Sequence, residues 1–136
     1  MDLHAVNKDI KREFEEEWEG TSVEALLKTN KYPRTKEEFE CLEKFLPKND
    51  LILEAGCGLG PKLIHFDKKN YQILGIDYIL SALEQVKKYD PNLFFAQSDL
   101  HALPSLNQIS VHIFLMVWSN ISHKDHKLPL LKLIGF

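Results

Sequence analysis

The sequence lacks the residue patterns of metal-binding, nucleic-acid-binding, membrane-spanning and secreted proteins. Its 136 residues contain two cysteines, Cys41 and Cys57, without the spacing of a metal site. Seventeen basic residues against twenty acidic ones give a net charge of -3, so no basic surface for nucleic acid is predicted. No apolar run approaches membrane-spanning length, and the N-terminus is polar and acidic, unlike a signal peptide. We therefore expect one soluble domain in a reducing, cytoplasmic setting, with no nucleic-acid or membrane partner.

Motifs for nucleophilic, metal-dependent and phosphate-binding chemistry are also missing. The sequence contains no persuasive Ser-His-Asp or Cys-His arrangement, and the P-loop signature Gly-Lys-Ser/Thr does not occur. His123 and His126 have ligand-like spacing, but no third or fourth ligand accompanies them. We interpret both as solvated histidines, so the sequence predicts neither a metal site nor a P-loop.

One segment carries a positive signal for a bound cofactor. The apolar run at 51–55 predicts a buried parallel strand, and Gly56, Gly58 and Gly60 predict the tight loop that follows it. Glycine has no Cβ, so its backbone can adopt positive φ and approach a ligand closely. The third glycine of the dinucleotide fingerprint is replaced by Pro61, which argues against an NAD enzyme. A glycine-rich turn without any cofactor is the simpler alternative.

Residues 1–50 are predicted to be helical. Apolar side chains recur at every fourth position across 9–18, as on one face of a helix. Two capping boxes, beginning at Thr21 and Thr35, predict the starts of two more helices. The segment at 47–50 breaks the last of these helices and leads into the apolar strand.

The following residues alternate between strand and helix patterns. Proline at position 61 is tolerated in a first helical turn, and this helix is predicted to run to about Lys69. A second strand is predicted at 71–76, a second helix at 81–88 and a third strand at 93–96. This order predicts an α/β fold with a Rossmann-like parallel sheet and flanking helices.

Three acidic motifs follow the predicted strands in order. The first is acidic-x-Gly-x-Gly-x-Gly at 54–60, and the second is Asp77, 17 residues beyond Gly60. The third, from Asp99 to Pro104, matches the pattern Asp-x-x-x-Leu-Pro. Together these motifs resemble those of the class I S-adenosylmethionine (SAM)-dependent methyltransferases, and the helical N-terminus is typical of those members that act on small molecules. The carboxyl ends of parallel strands meet at one sheet edge, where such folds bind ligands.

The resemblance implies a role for each acidic residue. Asp77 would accept both ribose hydroxyls of SAM, Asp99 the adenine amino group, and Glu54 would hold the methionine amine. The residues that the resemblance assigns to SAM binding are Glu54, Gly56, Cys57, Gly58, Gly60, Asp77, Tyr78, Asp99 and Leu100.

Simpler structural interpretations of several residues stay open. Asp77 is also suited to a helix N-cap and Asp99 to a turn. Trp18 and Tyr32 fit either the wall of a pocket, as aromatic residues do in similar proteins, or core packing, which we favour.

The resemblance ends at Pro104. We therefore divide the chain into an N-terminal helical segment at 1–50, a SAM-binding βαβαβ core at 51–104 and an atypical tail at 105–136. The tail residues can be encoded by codons that, read in another frame, spell Gly-Val-Val-Glu-His-Phe. Similar methyltransferases have this segment after Pro104. We hypothesise a frameshift near Ser105 that leaves the chain truncated, with 111–118 as a makeshift strand beside the first one.

The sequence thus predicts a SAM-dependent methyltransferase whose acceptor is a small molecule that the sequence does not identify. The alternative is a non-catalytic module of the same fold that binds SAM or a protein partner. The predicted loss of the substrate-binding half leaves open whether this chain is an active enzyme.

Overall fold

The N-terminal third of the chain forms helices. The computed structural model describes residues 3–99, 111–115 and 132–135. Helix α1 spans Leu3–Glu19, α2 spans Val23–Lys28, and α3 spans Pro33–Phe45, with a short 3-10 turn at Thr29–Lys31. Helix α3 ends just before Pro47, as the break at 47–50 predicts. Among the described residues no helix is long and apolar enough to cross a membrane.

Strands and helices alternate after α3. The elements are β1 at Leu51–Ala55, α4 at Pro61–Lys68, β2 at Ile73–Asp77, α5 at Leu80–Tyr89, β3 at Phe95–Gln97, β4 at Val111–Leu115 and β5 at Lys132–Gly135. Each predicted strand and helix from 51 to 99 is present, with bounds that differ by one or two residues. The Rossmann-like α/β class predicted for the chain is therefore confirmed.

The sheet has the strand order β3-β2-β1-β4-β5. Strand β1 pairs in parallel with β2 on one side and with β4 on the other, and β3 extends the sheet in parallel beyond β2. Strand β5, which the sequence did not predict, pairs with β4 in antiparallel orientation. Strand order reverses between β1 and β4, and open α/β sheets bind ligands outside the carboxyl ends of the strands at such a switch point.

The main core lies between the sheet and the helices. Successive side chains of β1 point to opposite faces, so Ile52 joins the larger cluster while Leu53 joins a smaller one on the other face. In the larger cluster, Leu42 of α3, Phe66 of α4 and Val86 of α5 are fully buried. This packing holds α3 against α4, the helix that follows the glycine loop.

Both predicted capping boxes are wrong in their details. Helix α2 is capped by Ser22, whose Oγ accepts a hydrogen bond from the Ala25 N–H at 3.1 Å, and not by Thr21. Helix α3 begins two residues before Thr35, at Pro33. Proline fits the first helical position because its fixed φ suits the helix and its missing N–H needs no partner there.

Candidate functional site

The loop between β1 and α4 is a tight turn of alternating glycines. Gly56, Gly58 and Gly60 all have positive φ, at 76°, 53° and 69°, the conformation for which glycine was predicted. The N–H groups of Gly56 and Cys57 both donate to the carbonyl of Ile76 in β2, at 2.8 and 2.9 Å. The loop is therefore fastened to the neighbouring strand before it enters α4.

Asp77, the last residue of β2, makes a further link to this loop. Its Oδ2 accepts a hydrogen bond from the Gly58 N–H at 2.7 Å, and its Oδ1 accepts one from the Ile79 N–H at 2.8 Å. Helix α5 is capped by Ile79, so the helix N-cap interpretation of Asp77 is wrong. The carboxylate instead joins the end of β2 to the glycine loop.

Glu54 places a buried carboxyl group below the same loop. The residue is 2% exposed, and its Oε2 has no hydrogen-bond partner within the described part of the chain. Burial raises the pKa of Glu54 from 4.5 to about 8. The Lys62 ammonium and the Leu63 backbone oppose this rise, whereas the charges of Asp77 and Glu38 add to it. A cationic group placed beside Oε2 would satisfy the oxygen and restore the carboxylate.

These groups share one cavity of about 650 Å³ between the sheet edge and the N-terminal helices. Its volume is typical of small-molecule sites, which span about 300–1,000 Å³. Of the predicted SAM-binding residues, the cavity brings together Glu54, Gly56, Cys57, Gly58 and Asp77. The helical side contributes Phe14, Glu17, Trp18, Leu26, Asn30, Glu38 and Phe39, among others.

Comparison with known protein families gives a match to the β-sheet region. A family model described as a methyltransferase domain matches residues 52–133, more than half of the chain. The chain belongs to the methyltransferase domain family. The resemblance to class I methyltransferases is thereby confirmed, and the match continues past Pro104 through β4 and into β5. No match to a curated protein was found.

Three other predicted cofactor residues of the methyltransferase domain, Gly60, Tyr78 and Asp99, are not among the described residues that line the cavity. Gly60 is buried at the start of α4, close to Val86 and Leu63. Tyr78 is 49% exposed, and its carbonyl accepts a hydrogen bond from Gln97 Nε2 at 3.1 Å. Asp99 is exposed two residues beyond β3, and Leu100 lies outside the described residues. A ligand that spans this site would reach from the cavity across the ends of β2 and β3.

The thiol of Cys57 is buried, and burial strongly raises its pKa. It packs closely against the glycine of β2, because a Cβ on Gly75 would lie 3.0 Å from Cys57 Sγ. The nucleophilic form of a cysteine is the thiolate, which this environment disfavours. Cys57 therefore has a packing role beside the loop.

Trp18 fits both the pocket-wall and the core-packing interpretation, whereas Tyr32 fits neither. Trp18 of α1 lines the cavity and also packs on the main core, so both interpretations apply to it. A Cβ on Gly58 would lie only 2.8 Å from Trp18 Cζ2, which shows how closely the indole covers the glycine loop. Tyr32 is 54% exposed and is not among the described residues that line the cavity, so it fits neither interpretation.

Lys62, Glu38 and Asn30 are among the polar residues of the cavity that the sequence did not predict as site residues. Lys62 in the first turn of α4 is 9% exposed, and its Nζ lies 3.4 Å from Glu38 Oε1 of α3. The position of Glu38 was detectable, because it precedes buried Leu42 and Leu46 by four and eight residues on the same helical stripe. Asn30 lies in the 3-10 turn, where no periodic pattern marks it.

Metal binding has no support at this site. The described ranges contain no group of three or more His, Cys, Asp or Glu side chains arranged to hold a metal ion. His123 and His126 lie outside the described residues.

Proposed function

We propose that this methyltransferase domain binds SAM at the glycine loop and transfers its methyl group to a small-molecule acceptor. The observation that carries the proposal is the convergence of Glu54, the glycine loop and Asp77 on one cavity at the switch point of the sheet. The resemblance supplies the identity of the ligand, and the residues present fit it.

The fit is clearest at Glu54. The buried Oε2 lacks a hydrogen-bond donor, and the ammonium group of SAM would provide both donors and the opposite charge. Asp77 already accepts two backbone hydrogen bonds, yet each carboxylate oxygen can accept a second one, which leaves capacity for the ribose hydroxyls. Tyr78, Asp99 and Leu100 would lie along the adenine end, as the resemblance implies.

Methyl transfer from SAM requires little acid–base catalysis by the protein. SAM supplies an electrophilic methyl group on a sulfonium, and the protein contributes alignment and the exclusion of water. Trp18 and the N-terminal helices close the cavity over the glycine loop, which would shield a bound ligand from solvent.

Calorimetric titration with SAM and with NAD tests the cofactor assignment. SAM should bind and NAD should not, and Asp77→Ala should abolish the SAM signal. Asp67→Ala on α4 is the matched control, because Asp67 does not line the cavity. Circular dichroism of each variant separates loss of binding from loss of folding. Binding of SAM that survives in a folded Asp77→Ala variant would contradict the ribose assignment.

Turnover is tested separately from binding. Formation of S-adenosylhomocysteine from SAM in the presence of acceptor mixtures would support an enzyme. SAM binding without any turnover would favour the non-catalytic module.

We further propose that the tail from about Ser105 arises from a shifted reading frame. The support is the family-like peptide that the alternative frame permits at 116–122. The family match, which extends to residue 133 in the present frame, weighs against the shift. The coding nucleotide sequence decides this point, because an alternative frame without a methyltransferase continuation would refute it.

A further inference from the structure

The cavity has a sheet side and a helical side, and the two sides would bind different ligands. On the sheet side lie Glu54, the glycine loop and Asp77, which the proposed function assigns to SAM. On the helical side lie Asn30 of the 3-10 turn and Glu38 of α3. Because Tyr78 and Asp99 are not among the residues that line the cavity, the adenine end of SAM would extend outside it. The room on the helical side is then left for the methyl acceptor.

The helical side presents hydrogen-bond acceptors without donors. Asn30 Oδ1 and Glu38 Oε1 are both buried and lack a hydrogen-bond partner among the described residues. Lys62 Nζ lies 3.4 Å from Glu38 Oε1, close enough for an ion pair but without hydrogen-bond geometry. Buried acceptors left unpaired are unfavourable, so a ligand that donates hydrogen bonds to the Glu38 carboxylate and the Asn30 amide would stabilise this side of the cavity.

The charge of the cavity selects among such ligands. Among the described lining residues, Glu17, Glu38, Glu54 and Asp77 are acidic and Lys62 is basic. Glu54 is neutral in the free protein and would pair with the ammonium of bound SAM, so the negative charge offered to the acceptor comes from Glu17, Glu38 and Asp77. A carboxylate or phosphate on the acceptor would be repelled, whereas a cation would be attracted. The indole of Trp18 adds an apolar wall that also favours cations, whereas the ring of Phe39 already stacks on His65 and lies 6.0 Å from Lys62 Nζ.

We propose, on the basis of the proposed function, that the methyl acceptor is a small amine with an apolar or aromatic body. Its N–H groups bind the Glu38 carboxylate and the side-chain amide of Asn30, and its body packs against Trp18. The Glu38 carboxylate takes a proton from the ammonium, the nitrogen lone pair then attacks the sulfonium methyl group, and S-adenosylhomocysteine leaves. Glu38 is thus a binding residue that selects amines over alcohols and acids. An alcohol would satisfy one acceptor but gain nothing from the negative charge of the cavity.

Binding of three matched probes tests the amine preference. The full chain is saturated with S-adenosylhomocysteine and titrated by calorimetry with 2-phenylethylamine, 2-phenylethanol and 3-phenylpropanoate. The amine should bind about tenfold or more tightly than the alcohol, and the carboxylate should bind most weakly. Equal affinity for amine and alcohol, or preference for the carboxylate, would overturn the proposal.

Two variants locate the preference on the helical side. Glu38→Gln should weaken amine binding by about tenfold and leave alcohol binding nearly unchanged. Glu37→Gln removes the same charge from an exposed position of α3 and should have no effect. Asn30→Ala, which should weaken the amine by a smaller factor, provides a second test if Glu38→Gln does not fold. Undiminished amine affinity in a folded Glu38→Gln or Asn30→Ala variant would refute the assignment.

Binding of S-adenosylhomocysteine itself distinguishes this inference from the function on which it rests. If the unaltered chain binds S-adenosylhomocysteine but shows no amine preference, only the acceptor class is wrong. If it does not bind S-adenosylhomocysteine, the proposed function and the acceptor assignment both fail.

Discussion

The carboxylate of Asp77 accepts a hydrogen bond from the Gly58 N–H at 2.7 Å and thereby joins the end of β2 to the loop that follows β1. Its second oxygen accepts from the Ile79 N–H at 2.8 Å at the start of α5. One side chain therefore organises two connections of the sheet edge before any ligand binds. A residue in this position affects both the shape of the loop and the groups offered to a ligand.

Replacement of Asp77 by asparagine should lower the free energy of unfolding. An asparagine side chain has one acceptor oxygen, so one of the two backbone N–H groups loses its partner. We expect a loss of about 1–3 kcal/mol, measured by urea denaturation. The same change at Asp67 of α4 serves as control and should be close to neutral. Equal stability of the two variants would show that the loop does not depend on the Asp77 carboxylate.

Gly58→Ala should destabilise the protein through two effects. Its positive φ of 53° is unfavourable for alanine, and the added Cβ would lie 2.8 Å from Trp18 Cζ2. Together these effects should cost about 2–4 kcal/mol, read from the shift in the urea midpoint. Gly20→Ala is the matched control, because a Cβ there meets only backbone oxygens at 3.6 and 3.7 Å. Comparable stability of the two variants would mean that Trp18 does not pack on the loop as described.

The part of the fold that the sequence predicts well is the part where local pattern and tertiary packing agree. The run at 51–55 and its three glycines specify both a buried strand and a turn with positive φ, and both are present. Strand β4 was expected beside β1 because 111–118 is apolar and β-prone. Strand β5 was not expected, because its four residues, Lys132–Gly135, are too few to show a strand pattern in the sequence.

The candidate site was predictable on its sheet side and much less so on its helical side. Glu54 and Asp77 follow directly from strand ends, whose positions are fixed by apolar runs. Glu38 reaches the cavity because α3 packs against α4, where Phe39 stacks on His65 at 4.2 Å, and Lys62 lies in the first turn of α4. Sequence motifs do not predict how helices and strands pack against one another. The apolar stripe of α3 that includes Leu42 does place Glu38 on the inner face of the helix.

A pair of substitutions should show which residue caps α2. Ser22→Ala removes the oxygen that accepts from the Ala25 N–H and should cost about 1 kcal/mol. Thr21→Ala, at the position that the capping-box pattern predicts, should change the stability by less than about 0.5 kcal/mol. Thermal melting of both variants measures the difference. A larger loss for Thr21→Ala would restore the capping box at Thr21.

Glu54 should make the stability of the protein fall as the pH rises. Its pKa is raised from 4.5 to about 8, so between these pH values the unfolded chain has lost a proton that the folded chain retains. The unfolded state then binds fewer protons, and the free energy of unfolding decreases with pH. The contribution is complete below about pH 4.5 and is lost by about pH 8, amounting to a few kcal/mol. Glu54→Gln should flatten this slope in urea denaturation, while Glu37→Gln should leave it intact.

Because the Glu54 carboxyl group is protonated in the free protein, we expect SAM binding to release a proton. At neutral pH Glu54 holds its proton in the absence of ligand, because its pKa is about 8. The ammonium of SAM would favour the carboxylate, so binding should release roughly one proton per site near neutral pH and fewer above about pH 9. Calorimetry in two buffers with different ionisation enthalpies measures this number directly. If SAM binds without proton release near neutral pH, or if Glu54→Gln releases as many protons, the ammonium does not bind at Glu54 Oε2.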